Sequence, residues 1–356
     1  MEFDLIIIWG GASGLFCAIN SPKKYKKLIL EKQNQLWTKI LLSGWGRCNF
    51  SNTNISPDKY FWQNKKTLPS IFHKFNNHDF INFLTENWIK YKEENNERLI
   101  LESEKSKDLL EFLIKKAKEN KTKIQTNQNV VNVKKTDEVF FIQTKDEVCK
   151  CKKLVIASWW VSFPKTWTTG FGIDLAKKLW IKTIKTFPAL CGIETKNWFS
   201  NLSGSSVLWK IKVFDKNKLF YETIWNILFT HWGLSWPAIF NVSAAIWEHL
   251  AKTAWNIKEI YIKLSLEKAQ ITKKLQKSNI LNLNNETTIE LTSFRSLDEA
   301  KVSSGGVSLD EINNNFESKK IKNLYFIGET LDIIWESGWF NLQRARSSGF
   351  VCWKNL

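Results

Sequence analysis

The chain has 356 residues, of which 43% are hydrophobic, so it is long enough to bury a large core. No apolar run approaches the roughly 20 residues that a membrane-spanning helix needs, which excludes a helical integral membrane protein. The six cysteines form no C-x-x-C pair and no histidine lies at metal-ligand spacing, so the sequence predicts reduced thiols and no metal site.

The formal net charge of +17 raises the question of a nucleic-acid partner. The lysines are scattered in short clusters, such as those at 23–24 and 152–153, without a long basic tract. Because Lys, Asn, Ile and Phe all have A/T-rich codons, codon usage accounts for most of this charge. The sequence therefore favours a small-molecule substrate over nucleic acid or a membrane surface. The first apolar strand begins almost at Met1 without a signal peptide before it, which predicts a cytoplasmic protein.

The first predicted unit spans residues 4–31. Leu5 to Ile8 are consecutive large apolar residues, a pattern typical of a parallel strand that is buried on both faces. A turn of small residues, WGGASG at positions 9–14, follows at once and leads into a helix that Pro22 ends. A second buried strand, residues 28–30, is followed by Glu31. Such a unit holds a dinucleotide pyrophosphate at the helix N-terminus, while the acid accepts hydrogen bonds from ribose hydroxyls.

The G-x-G-x-x-G spacing falls on positions 9, 11 and 14, but position 9 is Trp where the first glycine makes the tight turn. Tryptophan recurs in turn contexts along the chain, which has 19 Trp and only 15 Gly. A bulky residue does not readily adopt the positive φ that such turns use. Some bacteria with A/T-rich genomes read the codon UGA as glycine, and translating UGA as Trp would produce this sequence. We interpret most of these tryptophans as glycine in the cell; the alternative is a non-catalytic remnant with genuine Trp.

The segment LLSGWGRCN at 41–49 is a second glycine-type loop, and it carries one cation, Arg47. Such a loop can approach an anion or the edge of a flavin, whereas by itself it would be read as an ordinary surface turn. Residues 52–120 show helical periodicity and predict a helical insertion. Residues 121–144 predict short strands of a meander, and residues 153–157 return to a buried strand.

Residues 188–240 predict β structure with turns, and residues 244–285 are predicted to be largely helical. His231 lies beside one of these turns, where a lone histidine is more often a structural hydrogen-bonding group than a catalyst. Near the C-terminus, residues 304–309 predict a turn, and residues 324–329 predict a buried strand that ends in Gly and an acid. A helix over 344–351 follows, so this block predicts a second anion and ribityl site. The two ends of the chain are expected to build one cofactor cleft.

These motifs, taken in order, resemble those of the BaiN-like (YhiN-like) flavoproteins, which are described as NAD(P)/FAD-dependent oxidoreductases and also as aminoacetone-oxidase-like. The matching segments are IIIWGGASGL at 6–15, LLSGWGRCN at 41–49, ASWW at 157–160, PKTWTTGFG at 164–172, THWGLSWP at 230–237, SGGV at 304–307 and YFIGETLDIIWESGWFNLQ at 325–343. The departures share one form, Trp in place of the family's glycine, at Trp9, Trp37, Trp45, Trp159, Trp160, Trp167, Trp180, Trp236, Trp335, Trp339 and Trp353. Trp232 occupies a position at which the family tolerates aromatic residues.

The resemblance implies an α/β fold with a Rossmann-like FAD-binding domain built from both chain ends. Its first part would span 1–187, with the helical insertion at about 52–120, and its second part would span 291–356. Residues 188–290 would form an inserted substrate domain, β-rich and then helical. The stretch from Ala245 to about Leu283 is shorter than the family leads us to expect, which indicates a trimmed substrate domain.

The resemblance also implies which residues contact the cofactor FAD. The pyrophosphate and adenosine side comprises Trp9, Gly10, Gly11, Gly14, Glu31, Lys32, Val131 and Ala157. The flavin and ribityl side comprises Arg47, Cys48, Asn49, Gly328, Glu329, Asp332, Asn341, Leu342 and Gln343, the last three through helix N–H groups.

The function expected from this resemblance is hydride transfer between NADH or NADPH, or an organic substrate, and the flavin N5 atom. The catalytic residues stay unassigned, with Arg47, Cys48 and His231 as weak candidates, because flavin chemistry requires no strong general acid or base. An RNA-associated flavoprotein is a second reading, supported by the net charge of +17 alone. The sequence does not indicate the substrate, the choice between NADH and NADPH, or the oligomeric state.

Overall fold

The computed structural model describes residues 1–36, 40–41, 43–55, 60–61, 73–94, 97–158, 170–196, 199–253, 256–266, 286–335 and 338–354. Its strands are β1 (Glu2–Ile8), β2 (Lys27–Leu30), β3 (Ser51–Asn52), β4 (Tyr60–Phe61), β5 (Tyr91–Glu94), β6 (Arg98–Leu101), β7 (Thr122–Gln125), β8 (Val130–Thr136), β9 (Val139–Thr144), β10 (Val148–Ile156), β11 (Thr183–Ala189), β12 (Ile193–Thr195), β13 (Ser206–Asp215), β14 (Lys218–Thr230), β15 (Gly233–Ser235), β16 (Ile260–Leu266), β17 (Thr287–Phe294), β18 (Val302–Val307), β19 (Leu324–Phe326) and β20 (Ile334–Trp335). Its α-helices are α1 (Ala12–Asn20), α2 (Asn77–Glu86), α3 (Ser106–Glu119), α4 (Phe171–Lys178), α5 (Pro237–Lys252) and α6 (Gly338–Lys354).

A seven-stranded sheet forms the base of the nucleotide-binding part, with the order β7-β2-β1-β10-β9-β8 and β19 beside β10. Strands β7, β2, β1, β10 and β19 are parallel, whereas β9 and β8 return antiparallel. Strand β10 is shared, because residues 148–151 pair with β9 and residues 154–156 pair with β19. Leu5 to Ile8 are fully buried, as the continuous apolar run predicts. The carboxyl ends of the parallel strands therefore meet at one edge.

Both chain ends contribute to this part, which confirms the predicted α/β class with a Rossmann-like sheet. Strand β19 and helix α6 come from the last 33 residues, and α6 packs closely on α1. A Cβ atom at Gly349 of α6 would lie only 2.5 Å from the carbonyl oxygen of Ser13. The absence of a side chain at Gly349 thus lets the two helices approach each other.

The inserted part is a closed barrel with the order β12-β15-β14-β13-β16-β17. Alternate residues of β13, from Val207 to Val213, point into its core, as the period of two requires. Helix α5 buries Ile239 and Val242 against this core and Ala244 and Trp247 in a second cluster that includes Ile334 of β20. Helix α5 therefore connects the barrel to the nucleotide-binding part.

The prediction that residues 244–285 are largely helical was wrong over 260–266, which form β16 between β13 and β17. Ile260, Ile262 and Leu264 are buried at every second position, which is the periodicity of a strand. Residues 267–285 lie outside the described residues. The last barrel strand, β17, continues to Phe294, beyond the expected boundary at 290.

The predicted helical insertion at 52–120 contains α2 and α3, but it also contains β5 and β6, which pair with each other and, through β6, with β3. The predicted turn at 304–309 was wrong over 304–307, because these residues belong to strand β18. Gly305 and Gly306 have φ of 83° and 139°, and a Cβ at Gly306 would lie 2.6 Å from the backbone nitrogen of Asp332. The glycines permit close backbone packing here rather than a chain reversal.

Candidate cofactor site

The turn between β1 and α1 has the backbone of a phosphate-binding loop. No side chain caps the N-terminus of α1, and its first turn contains no acidic residue. The first N–H groups of a helix have no partner within the helix, and its positive dipole end attracts anions. A Cβ at Gly14 would lie 2.1 Å from the carbonyl oxygen of Trp9, so only glycine permits this closure. The structure thus brings the predicted residues Gly10, Gly11 and Gly14 together at one edge of the sheet.

Trp9 has the backbone conformation of a glycine, with φ of 82°. Its N–H donates to the carbonyl of Leu30 at 2.8 Å, which fixes the end of β1 beside the end of β2. The side chain is half-buried and packs against the main core. For a bulky residue such a φ is an outlier, whereas glycine adopts it without strain.

Glu31 follows the carboxyl end of β2 and is 4% exposed. Its Oε2 accepts a hydrogen bond from Gly10 N at 3.0 Å, and its Oε1 accepts one from Gln33 N at 3.0 Å. Burial raises the pKa of Glu31, and these backbone hydrogen bonds oppose that rise. The carboxylate therefore links the end of β2 to the phosphate loop and keeps lone pairs that can accept ribose hydroxyls.

A cleft of about 300 Å³ lies beside this acid, between β8 and α4. Lys32, Val131, Phe171 and Lys178 are among the residues that line it. Val131 is 44% exposed, because a register shift in β8 interrupts its pairing with β9 at this residue. Valines and Phe171 form its apolar lining, and asparagines, lysines and Asp174 add polar groups, a mixture that suits an adenosine group.

The end of β19 faces the phosphate loop from the other chain terminus. Gly328 has φ of 68°, its N–H donates to Ser348 Oγ at 2.9 Å, and a Cβ there would lie 2.4 Å from Ser13 Oγ. Glu329 is buried, and its Oε1 accepts from Ser303 N at 3.3 Å. Gly328 therefore contacts both Ser13 of α1 and Ser348 of α6, and Glu329 contacts Ser303 of β18.

Asp332 is the most unusual acid of this region, since it is 4% exposed. It accepts a hydrogen bond from the backbone of Gly305, while its Oδ1 atom has no hydrogen-bond partner among the described residues. Burial raises the pKa of Asp332 to about 7, although the positive charge of Arg344 opposes this rise. A buried acceptor without a protein partner fits a polyhydroxyl ligand such as a ribityl chain.

Helix α6 begins at Gly338, six residues before the predicted start at Arg344. The N–H groups of residues 338–340 are therefore those without a partner in the helix, and Asn341, Leu342 and Gln343 all follow them. The Gln343 side chain accepts from Ser51 Oγ at 3.2 Å and donates to Ser347 Oγ at 3.2 Å. Gln343 thus stabilises the contact between α6 and β3 through its side chain.

In the second glycine-type loop, the Arg47 guanidinium donates to Glu104 Oε2 at 2.9 Å and also to Glu94 Oε1. These two carboxylates raise the pKa of Arg47 and balance its charge. Cys48 is fully buried with φ of 57°, and Asn49 Oδ1 lies against Gly44. These contacts fix the conformation of the loop, and the two ion pairs of Arg47 connect it to Glu94 and Glu104.

The other candidates lie apart from one another. Ala157 is buried, and its N–H donates to Ile8 O at 3.1 Å, which places it at the carboxyl edge beside the phosphate loop. His231 is exposed in the turn between β14 and β15 of the barrel. Across the part of the chain that the structure describes, no group of three His, Cys, Asp or Glu residues could hold a metal ion.

Two further tryptophans occupy positions typical of glycine, and the sequence motifs identified only one of them. Trp88 follows α2 and Trp180 follows α4, with φ of 59° and 58°. Trp88 N donates to Thr85 O, and the next N–H, of Ile89, donates to Leu84 O; residues 180 and 181 repeat this pattern. This is the Schellman motif, whose left-handed residue is usually glycine. The indoles are 91% and 87% exposed, so they bury almost no surface.

Trp236 precedes Pro237 at the start of α5 with φ of 74° and ψ of 178°. This region of backbone space is essentially restricted to glycine. Trp37, Trp159, Trp160 and Trp167 lie outside the described residues. Trp209, in contrast, lies within β13 and is fully buried against Phe229, with ring centroids 6.4 Å apart. Positive φ thus occurs at Trp9, Trp88, Trp180 and Trp236, whereas Trp353, which also stands at a family glycine position, is helical and 4% exposed in the main core.

The family described as HI0933-like protein Rossmann domain matches residues 3–355. The chain belongs to the HI0933-like family. This confirms the resemblance to the BaiN-like and YhiN-like flavoproteins that the ordered motifs indicated.

Relatives of this HI0933-like protein carry two different names. It is 26% identical to the ribosomal RNA dihydrouridine synthase of Escherichia coli, covering 100% of this chain and 98% of that protein. The corresponding protein of Haemophilus influenzae is 29% identical, with 98% and 96% covered. The 3-dehydro-bile acid delta(4,6)-reductase of Clostridium scindens is 22% identical, with 97% of each covered.

A solved structure shares the fold over nearly the whole chain. The 3-ketosteroid-delta4-(5alpha)-dehydrogenase of Rhodococcus jostii RHA1 superposes with a TM-score of 0.55 at 11% identity, covering 98% of this chain and 95% of that one. The likeness extends over both the nucleotide-binding part and the barrel. Among the described helices, none combines the length and the hydrophobicity needed to cross a membrane.

Proposed function

We propose that this HI0933-like protein is an FAD-dependent oxidoreductase. The observation that carries the proposal is the convergence at one sheet edge of an uncapped helix N-terminus, the buried acid Glu31 and the buried acid Asp332. These groups come from opposite ends of the chain. Their chemistry matches a pyrophosphate flanked by a ribose on one side and a ribityl chain on the other.

The residues present fit this cofactor. The first turn of α1 would hold the pyrophosphate, Glu31 would hold the adenosine ribose, and Asp332, with its orphan Oδ1, would hold the ribityl chain. The cleft beside Lys32 and Val131 would take the adenine. When bound, FAD supplies a hydride acceptor and donor at N5, so the protein needs to bind, orient and exclude water rather than provide a strong base.

The proposal includes glycine at the tryptophans in glycine positions, above all at position 9. The carbonyl oxygen of residue 9 packs directly against Gly14, where a Cβ would lie only 2.1 Å from it. Residue 9 must keep its positive φ to maintain this contact, and glycine does so without strain. Four of the described tryptophans have positive φ, which UGA read as glycine would explain. We also infer NADH or NADPH as the reductant, from the family resemblance, and a cytoplasmic location, from six cysteines that form no disulfide.

The test is a spectrum of protein in which Trp9, Trp88, Trp180 and Trp236 are replaced by glycine, together with the other tryptophans at family glycine positions. We expect a yellow protein that releases FAD on denaturation and is bleached by anaerobic NADH or NADPH. Release of FMN, or the absence of a flavin, would overturn the proposal. The intact mass of protein from the native host tests the recoding separately, since 19 genuine Trp residues would contradict it.

Reduction of uridine in ribosomal RNA is a second, more specific candidate. It is favoured by two relatives named ribosomal RNA dihydrouridine synthase, each at least 96% covered, and by the net charge of +17. The sequence by itself favoured a small-molecule substrate, and that expectation stays a prediction. In this reaction the uracil C5=C6 double bond gains a hydride and a proton, and the reduced nicotinamide is the source of both electrons.

The experiment incubates ribosomal RNA from a strain that lacks this gene with the flavin-loaded protein and NADPH or NADH. Digestion and mass spectrometry should show a gain of two hydrogen atoms at a defined uridine. Unchanged RNA, with continued reduction of the flavin, would restrict the conclusion to an oxidoreductase of a smaller substrate.

A further inference from the structure

The outer face of the meander β8-β9-β10 carries an ordered set of side chains, of which only Asn132 also lines the cleft assigned to the adenosine group. The pairing places Lys134 of β8 opposite Phe141 of β9, and Phe141 opposite Lys150 of β10. Residues opposite each other in paired strands share one face of the sheet. We define the meander face by two rows of paired residues, Asn132, Gln143 and Val148, and Lys134, Phe141 and Lys150, together with the pair Thr136 and Val139 and with Lys152 of β10.

This face points to solvent, whereas the opposite face of the same strands is core. Lys134, Lys150 and Lys152 are exposed and Phe141 is half-buried. The residues between them, such as Phe140, Ile142 and Cys151, are buried. The ring of Phe141 is partly accessible to solvent, and Lys150 Nζ lies 5.0 Å from its centroid.

The charge of the meander face differs from that of the barrel. None of its nine residues is acidic, and within the described residues Lys134 and Lys150 have no carboxylate within 4 Å, while Lys152 lies 4.0 Å from Asp4 at the margin. On the barrel, lysines are neutralised by glutamates in the pairs Lys196–Glu290, Lys210–Glu222, Lys212–Glu286 and Lys263–Glu286. The positive charge of the meander face is thus available to an external anion.

We propose that the meander face binds single-stranded RNA, an inference that rests on the proposed ribosomal RNA substrate. A base stacks on Phe141, and the ammonium of Lys150 moves from the ring to a phosphate. Lys134 binds a second phosphate, while Asn132 and Gln143 offer amides to base edges. An aromatic ring on a sheet between cations, with amides beside it, is the chemistry by which proteins hold unpaired RNA.

The position of this face suits a long substrate. Strand β10 runs from Lys150 to Ile156 at the carboxyl edge, about 20 Å at the rise of a strand. A small molecule cannot contact both places, whereas an RNA strand can. Glu2 and Asp4 of β1 border the face on one side and repel phosphate groups. The RNA is therefore expected to lie over β8, β9 and β10 and not over β1.

The experiment measures the Kd of a short fluorescein-labelled oligouridylate by anisotropy at several salt concentrations. K134E/K150E should weaken binding at least tenfold and lower the slope of log Kd against log salt by about 1.4, since each contact in a single strand contributes about 0.7. F141T should weaken binding by about tenfold through lost stacking, without changing the slope. The neutral pair K134Q/K150Q should lower the slope equally and serves if the charge reversal unfolds the protein.

The matched control is K218E/K258E, which makes the same charge change on exposed lysines of the barrel region that have no ion pair within the described residues. It should leave the Kd within about twofold of wild type. None of the tested positions is a tryptophan, so all variants are made in the protein that carries glycine at the disputed positions.

Equal Kd values for the meander-face variants and the control, or equal affinity for duplex DNA, would overturn the inference. Flavin content and reduction by NADPH are measured on the same samples and should be unchanged. Wild-type binding that depends on the meander face, without uridine reduction, would refute the proposed RNA chemistry and support this binding surface. Uridine reduction at an unchanged rate in the meander-face variants would support the proposed RNA chemistry and refute this binding surface.

Discussion

At the scale of single residues, backbone conformation distinguishes tryptophans that the amino-acid sequence alone treats alike. Trp9 and Trp236 have positive φ, whereas Trp209 fills the barrel core. The sequence could predict Trp9 as a glycine position because a known spacing surrounds it. The buried state of Asp332 could not be predicted, since it depends on the strand conformation of Gly305 and Gly306.

The first prediction concerns position 9 in protein whose other disputed positions are glycine. Restoring only Trp9 should lower the affinity for FAD at least tenfold, or about 1.4 kcal/mol, because the closed turn requires φ of 82°. The quenching of flavin fluorescence on binding gives the Kd. Equal FAD occupancy in the two proteins would show that this glycine is dispensable.

The second prediction concerns the pH dependence of the protein without flavin. Asp332 has a pKa of about 7 in the folded protein against 3.8 in a free side chain, because of burial. The folded state then holds a proton that the unfolded state has lost, so stability falls as pH rises from about 4 to about 7 and is level above that. D332N should therefore be more stable than wild type at pH 8, by up to about 4 kcal/mol, and equal to it at pH 4.

Thermal unfolding at the two pH values measures this difference. D332N should at the same time bind FAD more weakly, since the amide is a poorer acceptor for ribityl hydroxyls than a carboxylate. A variant that loses stability at pH 8 would indicate that Asp332 is paired and stabilising in the folded state.

At the scale of elements, the strands whose side chains alternate or run apolar were predictable, and the helix ends were less so. Strand β1 is where Leu5 to Ile8 place it. Strand β16 was missed because the segment 244–285 was read as one lysine-rich helical region, although Tyr261 and Lys263 alternate with the buried Ile260, Ile262 and Leu264. The start of α6 was missed because Gly338 and Trp339 read as a turn, although the described helix includes both.

The third prediction concerns the two helix ends at Trp88 and Trp180. W88G and W180G should each stabilise the protein by about 1 kcal/mol, because glycine removes the strain of the left-handed residue and the exposed indoles contribute no burial. W209G is the contrasting variant, and it should destabilise by at least about 3 kcal/mol through the cavity in the barrel. Urea unfolding gives all three values, and a loss of stability in W88G and W180G would contradict the glycine assignment.

At the scale of the whole molecule, the division into a nucleotide-binding part and a barrel followed from the order of motifs. The closed form of the barrel did not, because closure depends on the pairing of β12 with β17, which are about 100 residues apart in the chain. The placement of α5 between two cores was also unpredictable, since both of its faces are apolar.

The fourth prediction is that FAD couples the chain termini. Hydrogen exchange should slow in β1, α1, β19 and α6 when flavin binds, because ligand binding to the folded form suppresses the openings of the elements that hold it. The barrel strands β13 and β14 provide the internal control and should exchange at the same rate with and without flavin. Protection confined to one terminus would contradict a site built from both.

The close packing of α1 against α6 has a consequence for how the chain is made. During synthesis β1 and α1 leave the ribosome before the barrel strands, and α6 leaves after them. The barrel strands can pair while the chain is still growing, whereas β10 must wait for β19. The apolar strands at 5–8 and 28–30 therefore lack their final packing partners until β19 and α6 have been synthesised. Flavin capture is expected to be the last event of maturation, and nascent chains of this protein should depend on a chaperone until then.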